Sequence, residues 1–216
     1  MREGQLRNSV LAAAMLAATA ALVLPSPAVA QKVELIPALG FYLPVGGWTE
    51  VEDGGTGLPL RRQLSALVFS ARFSFPLAKK LDLQANLAVT PSQVAQSTNT
   101  GTTDLDGGVY LADVRAAYRL VTFKDGPTYD QAHWDLITSA GFGVVHRGGR
   151  AWENMSGVTR PVVLFASELG VGLFRLTAED FISWGQYNAG RPNATRPRVH
   201  HDFIFSLGIS LKVGGR

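Results

Sequence analysis

Hydrophobic and polar residues alternate along most of the chain after residue 30. The segment 200–213, HHDFIFSLGISLKV, is the clearest example, because every second residue from Phe203 to Val213 is apolar and most residues between them are small or polar. Side chains of a β-strand point alternately to its two faces. The pattern therefore predicts a strand with one apolar face and one polar face.

Eight segments alternate in this way, and no convincing helix accompanies them. The predicted strands are 33–43, 64–75, 80–91, 107–121, 133–146, 160–174, 180–188 and 199–213. The seventh is ambiguous, because aromatic residues fall on both of its faces. Alternate connections are long and rich in Gly, Thr, Asn and charge, while the others are shorter on average. Because an up-and-down meander places alternate connections at the same end, the pattern predicts an all-β, eight-stranded antiparallel up-and-down barrel.

The N-terminal 30 residues have the features of an export signal. Arg2 and Arg7 precede an apolar stretch over residues 10–24, and small residues Ala28 and Ala30 flank Val29. A positive start, a short apolar stretch and a small-x-small ending are typical of a secretory signal peptide. A membrane-spanning helix usually needs about 18 apolar residues or more. We therefore expect a Sec-type signal peptide over 1–30, cleaved after Ala30, and one barrel domain over 31–216.

Composition excludes several classes of protein. The chain has no cysteine, so it forms no disulfide and carries no lipid on a cysteine. Its net charge is only +3. No cluster of Lys and Arg is interleaved with aromatic residues, as a nucleic-acid surface would require. We expect no nucleic-acid partner.

The direction of the apolar faces separates a soluble fold from a membrane fold. A soluble lipocalin-like barrel or a β-sandwich buries its apolar faces, whereas a transmembrane barrel turns them to lipid. The stripe from Phe203 to Val213 spans about 26 Å at 45° tilt, close to the apolar band of an outer-membrane barrel. The polar faces hold Ser, Gly, Ala, Asn and Gln rather than a Lys/Glu surface. These observations favour the transmembrane barrel.

Aromatic residues on the apolar faces fall near the ends of the predicted strands. Tyr and Trp favour the boundary between lipid and water, since they combine an apolar ring with a polar tip. The residues predicted for the outer boundary are Phe41, Tyr110 and Phe203, and those for the inner boundary are Phe73, Phe75, Tyr118 and Trp134.

Charged residues on the polar faces nearly balance in sign. They are Arg72, Asp82, Asp113, Arg115, Arg119 and Glu168. An eight-stranded barrel is barely wide enough for its own side chains. We therefore predict that these residues form a polar cluster of salt bridges in the lumen with a structural role. A narrow path for water or solutes is the alternative.

Other candidate chemistry is weak. His200 and His201 beside Asp202 could suggest a metal site or a His–Asp pair, but adjacent strand residues point to opposite faces, so only one histidine shares the side of Asp202. We expect hydrogen bonding at the barrel rim instead. The segment 141–149, GFGVVHRGG, lacks the Lys-Ser/Thr and the helix of a phosphate loop, and its glycines are expected to make room for bulky lumen neighbours or to allow close strand packing. We predict no catalytic, cofactor-binding or metal residues.

Three segments carry a resemblance to known proteins. The first strand contains Pro37, Gly40, Tyr42 and Pro44 in a P-x-x-G-x-Y-x-P pattern, SELGVGLFRLTAEDF resembles a penultimate hairpin, and HHDFIFSLGISLKVGG resembles a closing strand. Residues 31–216 resemble small outer-membrane β-barrel proteins of Gram-negative bacteria, the OmpA/OmpX-like and OmpW-like group. Many members end on an aromatic residue, whereas the last residues here are KVGGR.

The resemblance implies a protein of the cell outer membrane with long extracellular loops, a structural or interaction role, no catalysis and no cofactor. Its implied partners are outer-membrane lipids and lipopolysaccharide, with the barrel-assembly machinery and periplasmic chaperones during biogenesis. Three alternatives remain open. They are an OmpW-like channel for small apolar molecules, a lipid A-modifying enzyme with a His–Ser–acid cluster at one rim, and a soluble lipocalin-like carrier.

Overall fold

The computed structural model of the chain describes residues 33–45, 60–98, 101–124, 133–153, 158–185 and 198–213. Twelve strands lie in this part of the chain. They are β1 (Val33–Val45), β2 (Leu60–Gln63), β3 (Ala66–Ala78), β4 (Leu81–Thr90), β5 (Gln93–Thr98), β6 (Gly101–Asp106), β7 (Gly108–Lys124), β8 (His133–Gly148), β9 (Thr159–Val171), β10 (Phe174–Gly185), β11 (Arg198–Ile209) and β12 (Leu211–Val213). A short 3₁₀ helix spans Arg150–Trp152.

Nine of these strands form one closed antiparallel sheet. Its order is β1, β3, β4, β7, β8, β9, β10 and β11, and β12 continues the direction of β11. The sheet closes because β1 pairs with both β11 and β12. Closure pairs the backbone groups of every edge, which a lipid bilayer demands. The predicted eight-stranded antiparallel up-and-down barrel is confirmed.

The seventh predicted strand is misplaced. The structure puts this strand at Phe174–Gly185 rather than 180–188, because a tight turn at Gly172 and Leu173 connects it to β9. Gly172 adopts φ 57°, a left-handed conformation that glycine reaches without strain. The mixed aromatic pattern also has a cause, since Phe181 points into the barrel while Trp184 points outward. The other predicted boundaries differ from the observed ones by a few residues at most.

A second sheet lies in regions predicted as connections. Strands β2, β5 and β6 form a small antiparallel sheet with β5 in the centre. These segments contain few large apolar residues, so their alternation is too weak to predict strands.

The two ends of the barrel differ. One end carries the β3–β4 turn at Lys79 and Lys80, the β9–β10 turn, and the paired residues Val33 and Val213. We call it the short-turn end, and the opposite end, which carries the small sheet and the 3₁₀ helix, the long-loop end. Outer-membrane barrels place short turns in the periplasm and long loops outside.

The apolar faces of the strands point outward. Exposed residues include Phe41, Phe69, Leu87, Tyr110, Phe142, Phe165, Leu176, Leu207 and Ile209. The seven aromatic residues predicted for the boundaries lie on these outward faces, and Tyr118 and Trp134 lie close to the short-turn end. The apolar stripe that begins at Phe203 therefore faces away from the lumen, and the soluble lipocalin-like alternative is wrong.

The predicted signal peptide, residues 1–30, lies outside the described residues. Among the residues that the structure describes, no helix is long and apolar enough to span a membrane.

Candidate functional site: the barrel lumen and a groove on its wall

Arg115 on β7 is the centre of a group of buried charges midway along the lumen. Its guanidinium donates hydrogen bonds of 2.7 and 2.9 Å to the carboxylate of Asp113 and pairs with Glu179 on β10. Asn86 on β4 donates a further hydrogen bond of 2.9 Å to Asp113. Burial of a charge is tolerated when it is paired and hydrogen-bonded in this way.

Two glycines on the neighbouring strand β8 make room for this group. Gly141 lies opposite Arg115 and Gly143 lies opposite Asp113. A methyl group on Gly141 would lie 2.7 Å from the Cβ of Arg115, and one on Gly143 would lie 2.7 Å from the Cβ of Asp113. Each methyl group would also lie 2.2 Å from a backbone carbonyl oxygen of β7, so these two glycines serve close strand packing as well as the bulky lumen neighbours.

Glu168 on β9 lies between two arginines nearer the short-turn end. Its carboxylate is 2.7 Å from Arg72 and 3.4 Å from Arg175. Arg175 also pairs with Glu34 on β1 at 2.9 Å, and the hydroxyl of Ser210 donates a hydrogen bond to the same glutamate. This group connects four strands across the lumen.

Arg119 belongs to a third group, at the short-turn mouth of the barrel. Its guanidinium lies 3.7 Å from Asp82 and 3.7 Å from Asp135, and its side chain remains 34% exposed. Thr122 donates a hydrogen bond of 2.8 Å to Asp135. The longer distances and greater exposure make these pairs weaker than the buried ones.

An apolar layer fills the lumen between the central charges and the long-loop end. Its members are all buried. They are Tyr42, Val68, Ala88, Val109, Leu111, Val145, Val162, Leu164, Ala166, Phe181 and Ile204. Among the described residues, this layer and the ion pairs below it lie at successive levels of the interior.

Asp202 on β11 accepts hydrogen bonds from two side chains at the long-loop side of the apolar layer. The hydroxyl of Tyr42 donates a hydrogen bond of 2.5 Å to it, and the guanidinium of Arg147 approaches its other oxygen at 2.5 Å. All three residues are completely buried. The guanidinium of Arg147 also lies 5.9 Å from the centre of the Trp152 ring, within range of a cation–π contact.

Strands β2, β5 and β6 and the 3₁₀ helix form a unit that we call the cap. Val94, Ala151 and Trp152 form its buried apolar cluster. The side-chain amide of Gln63 donates a hydrogen bond of 2.7 Å to the carbonyl oxygen of Gly107, which holds β2 beside the start of β7. The contact between Trp152 and Arg147 therefore joins the cap to the long-loop end of the lumen.

All six charged residues predicted for the lumen lie on its wall, but the structure divides them among three groups rather than one. Six further charged residues complete these groups and the contact with Tyr42, and among them only Asp202 was named from the sequence. They are Glu34, Asp135, Arg147, Arg175, Glu179 and Asp202. Arg175 and Glu179 fall in the predicted turn before the misplaced seventh strand, and Arg147 lies one residue past the predicted end of the fifth. Correct strand boundaries would have placed these three in the lumen.

The neighbouring histidines of β11 point to opposite faces, as alternation predicts. His200 points inward, and its Nε2 lies 3.2 Å from the carbonyl oxygen of Gly185. His201 points outward, and its Nδ1 lies 3.0 and 3.1 Å from the carboxylate oxygens of Asp180. Within the described residues, no group of three or more His, Cys, Asp or Glu is placed to hold a metal ion.

A shallow groove crosses the outward face of strands β7 to β11. Small side chains form its floor, and aromatic rings stand at its ends and along one side. The floor residues are Ala116, Thr138, Ala140, Ser167 and Ala178, and the aromatic residues are Tyr118, Phe165, Phe203 and Phe205. Asp180 also lines the groove. A carboxylate paired with an imidazole therefore lies on a face that is otherwise apolar.

Comparison with known proteins identifies the fold and no closer relationship. The outer membrane protein OprG from Pseudomonas aeruginosa matches with a TM-score of 0.55 over 85% of this chain and 98% of OprG, at 9% sequence identity. The chain has the fold of a small outer-membrane β-barrel. The outer membrane protein Ail of Yersinia pestis is similar at a TM-score of 0.39, with 12% identity over 82% of this chain and 99% of Ail. No family model and no curated protein matches the sequence.

Proposed function

We propose that this chain is an outer-membrane protein with a structural or interaction role, in which a closed, non-catalytic barrel anchors the cap and the long loops at the cell surface. One observation carries the proposal. The lumen is filled by buried ion pairs toward the short-turn end and by an apolar layer toward the long-loop end.

The exterior supports the membrane location. Outward residues such as Phe142, which is 72% exposed, and Leu207, which is 54% exposed, belong to an apolar surface that surrounds the barrel. Soluble monomers rarely expose contiguous apolar patches larger than a few hundred Å². Lipid is the environment that covers such a surface on all sides.

The interior supports the closed state. An ion that crossed the barrel would lose most of its water in the apolar layer, where the polar atoms are few and one of them, the Tyr42 hydroxyl, is already bonded to Asp202. Below the layer, the charges of the Arg115 group are paired within that group, and those of the Glu168 group are paired within theirs. Charges that are paired across a lumen already have their partners and are not available to a passing solute.

Two measurements test the proposal. The full chain, expressed in a Gram-negative bacterium, is expected in the outer-membrane fraction and should migrate differently in SDS before and after boiling. The purified barrel in planar bilayers should give no conductance steps under conditions in which a general porin, as the control, conducts. A soluble periplasmic product would contradict the membrane location, and stable ion conductance would contradict the closed lumen.

A second candidate function is passage of small apolar molecules, which the apolar layer beneath the cap favours. Its test uses a small apolar fluorescent dye and cells that carry either the full chain or a variant with residues 93–106 replaced by a short turn. Faster dye entry with the full chain than with empty cells would favour this candidate. Equal dye entry into cells with the full chain, cells with the variant and cells without the protein would support the anchoring role instead.

Catalysis is not part of the proposal. A serine nucleophile needs an imidazole within hydrogen-bond reach. In the wall groove, His201 hydrogen-bonds with Asp180, and Ser167 lies opposite Ala178, two residues along β10 from that aspartate. The acid therefore lies between the serine strand and the histidine strand, which is not the order that a nucleophilic triad uses.

A further inference from the structure

We propose that two copies of this chain associate in the membrane through the wall formed by β8 to β11, with Asp180 and His201 of both copies in contact at a twofold axis. This inference rests on the membrane location proposed above. Its basis is the level of the Asp180–His201 pair in the apolar band, the uneven distribution of polar side chains around the barrel, and the chemistry of the pair.

The Asp180–His201 pair lies on the lipid-facing surface, inside the apolar band. Asp180 occupies the fourth of six outward positions on β10, and Ile182 and Trp184 follow it toward the long-loop end. His201 lies opposite Ile182, and Val199 lies beyond it on β11. The side chain of Asp180 is 23% exposed and that of His201 is 37% exposed. Ionisable groups at membrane depth are costly in contact with lipid and almost always face protein or water, so this surface requires a polar partner.

Polar side chains are unevenly distributed over the outward faces of the barrel. The outward faces of β1, β3 and β4 carry apolar residues only, and within the described barrel strands Asp180 is the one carboxylate on an outward face. The polar residues on the outward faces of β8 to β11 include Thr138, His146, Thr159, Ser167, Asp180 and His201. The groups that are costly in lipid are therefore concentrated on one wall, as expected of a surface that protein covers.

The shape of this wall allows a second barrel to approach closely. The groove floor consists of small side chains on four neighbouring strands and reaches about 14 Å across them at the usual spacing. They are Ala116, Thr138, Ala140, Ser167 and Ala178. Small side chains at a contact within the membrane let two backbones come together. The ring of Phe205 on β11 and the small side chains of β8 lie on opposite sides of β10, so a twofold rotation about Asp180 brings the ring of one copy to the floor of the other.

The Asp180–His201 pair is complementary to itself. His201 turns Nδ1 toward the carboxylate oxygens of Asp180 at 3.0 and 3.1 Å, and its ring stacks on Phe203 with ring centres 5.9 Å apart. Nε2 then lies on the opposite edge of the imidazole, and the carboxylate has lone pairs for further hydrogen bonds. A twofold axis along the membrane normal keeps both copies at the same depth, so two carboxylates and two imidazoles meet. Each protonated imidazole donates Nδ1–H to its own carboxylate and Nε2–H to that of the second copy, and the four groups together carry no net charge.

A second copy of the chain fits this surface better than an unrelated partner. Any partner inside the apolar band has to offer an N–H donor and an acceptor at one depth, together with a side chain that fills the groove. Symmetry supplies all three from the same wall, as His201, Asp180 and Phe205 of the second copy.

The first test is cysteine cross-linking in isolated outer membranes. The chain has no cysteine, so a single introduced thiol reports on one position. Ser167→Cys places a thiol on the groove floor beside the pair, and a short bismaleimide linker should convert this variant to a dimer. Ala85→Cys is the matched control, since Ala85 is a small outward residue on β4, which lies across the barrel from β10. The control should give almost no dimer.

The second test measures the dissociation constant of the dimer in lipid vesicles. Its readout is fluorescence energy transfer between copies labelled at Thr103→Cys on the cap, over a range of protein-to-lipid ratios. Asp180→Asn and His201→Gln should each raise the dissociation constant about a hundredfold, because symmetry removes two charge-assisted hydrogen bonds and each contributes about tenfold. Asp104→Asn, on the exposed strand β6, removes a carboxylate away from the wall and should leave the constant unchanged.

Each variant is first checked for the heat-dependent shift in SDS, so that a misfolded barrel is not read as a loss of association. Equal cross-linking of Ser167→Cys and Ala85→Cys would overturn the inference, as would a dimer that survives both Asp180→Asn and His201→Gln unweakened. A cross-link to a different protein would assign the wall to that partner and would also overturn it. A folded barrel in the outer membrane without a dimer refutes only this inference, whereas absence from the membrane refutes the proposed function.

Discussion

The hydroxyl of Tyr42 donates a hydrogen bond of 2.5 Å to the carboxylate of Asp202, across the pair of strands that closes the barrel. Arg147 on β8 pairs with the same carboxylate from the far wall. A residue of the first strand, one of the last and one midway along the sheet are therefore joined at one buried point. The contact lies directly beside the cap and the apolar layer.

Loss of the Tyr42 hydroxyl should weaken this closure. Tyr42→Phe keeps the ring in the apolar layer but leaves one oxygen of Asp202 without its donor. We expect the free energy of unfolding to fall by about 1–3 kcal/mol, the cost of a buried unsatisfied partner. Urea unfolding in lipid vesicles, followed by tryptophan fluorescence, measures it. Tyr118→Phe, on the outward face, is the control, and equal effects of the two changes would contradict the prediction.

Removal of Arg115 should be more damaging. Arg115→Met leaves the buried carboxylates of Asp113 and Glu179 side by side without their cation. Breaking a buried ion pair by removal of one partner costs about 3–5 kcal/mol. The temperature at which the barrel loses its fast-migrating form in SDS should fall sharply. Lys79→Met, at the exposed β3–β4 turn, removes the same charge without burial and should leave that temperature unchanged.

A single methyl group at Gly141 should disturb the same region. Gly141→Ala places a Cβ against the Arg115 Cβ and against the backbone of β7. Overpacking of this kind costs about 1–3 kcal/mol. The same urea titration measures it. Ala140→Val adds bulk at the next position, where the side chain faces outward, and a larger effect there than at Gly141 would show that the lumen is not tightly packed.

The orientation of the apolar faces can be tested directly. Leu207 lies near the middle of the outward stripe on β11. Leu207→Arg should lower the free energy of unfolding in vesicles by about 2–4 kcal/mol, since the charge would lie near the bilayer midplane. Thr103→Arg, on the exposed strand β6, should have almost no effect. If the two variants unfold alike, the stripe does not face lipid.

Strand alternation predicts much of this fold, and the errors are instructive. The Leu81 to Thr90 strand is identified almost to the residue, because its apolar and polar positions separate cleanly. The Phe174–Gly185 strand is misplaced, because its turn to β9 comes earlier than predicted and because Phe181, an apolar residue, lies on the inward face. A barrel with an apolar layer inside breaks the rule that polar residues line its lumen. Where both faces of a strand are apolar, the alternation of residues cannot predict which face points inward or where the strand begins.

The candidate site was predictable only in outline. Arg72, Asp113, Arg115 and Glu168 lie on polar faces of clear strands, so their inward direction follows from the period of two. The sequence holds no sign that Arg115 pairs with Glu179 or that Asp180 meets His201 on the outside. Each such contact depends on the register between strands, and a shift of one residue would exchange the two faces.

The sequence by itself determined the number of barrel strands, their alternating faces and the polar character of much of the lumen. These are local properties, since the direction of a side chain on a strand is set by its backbone and by the residues next to it. Tertiary structure alone decided the closing contact between Tyr42 and Asp202, the division of charges into three groups, the cap, and the wall groove. Those features need residues up to 176 positions apart to meet, which only the closure and register of the barrel bring about.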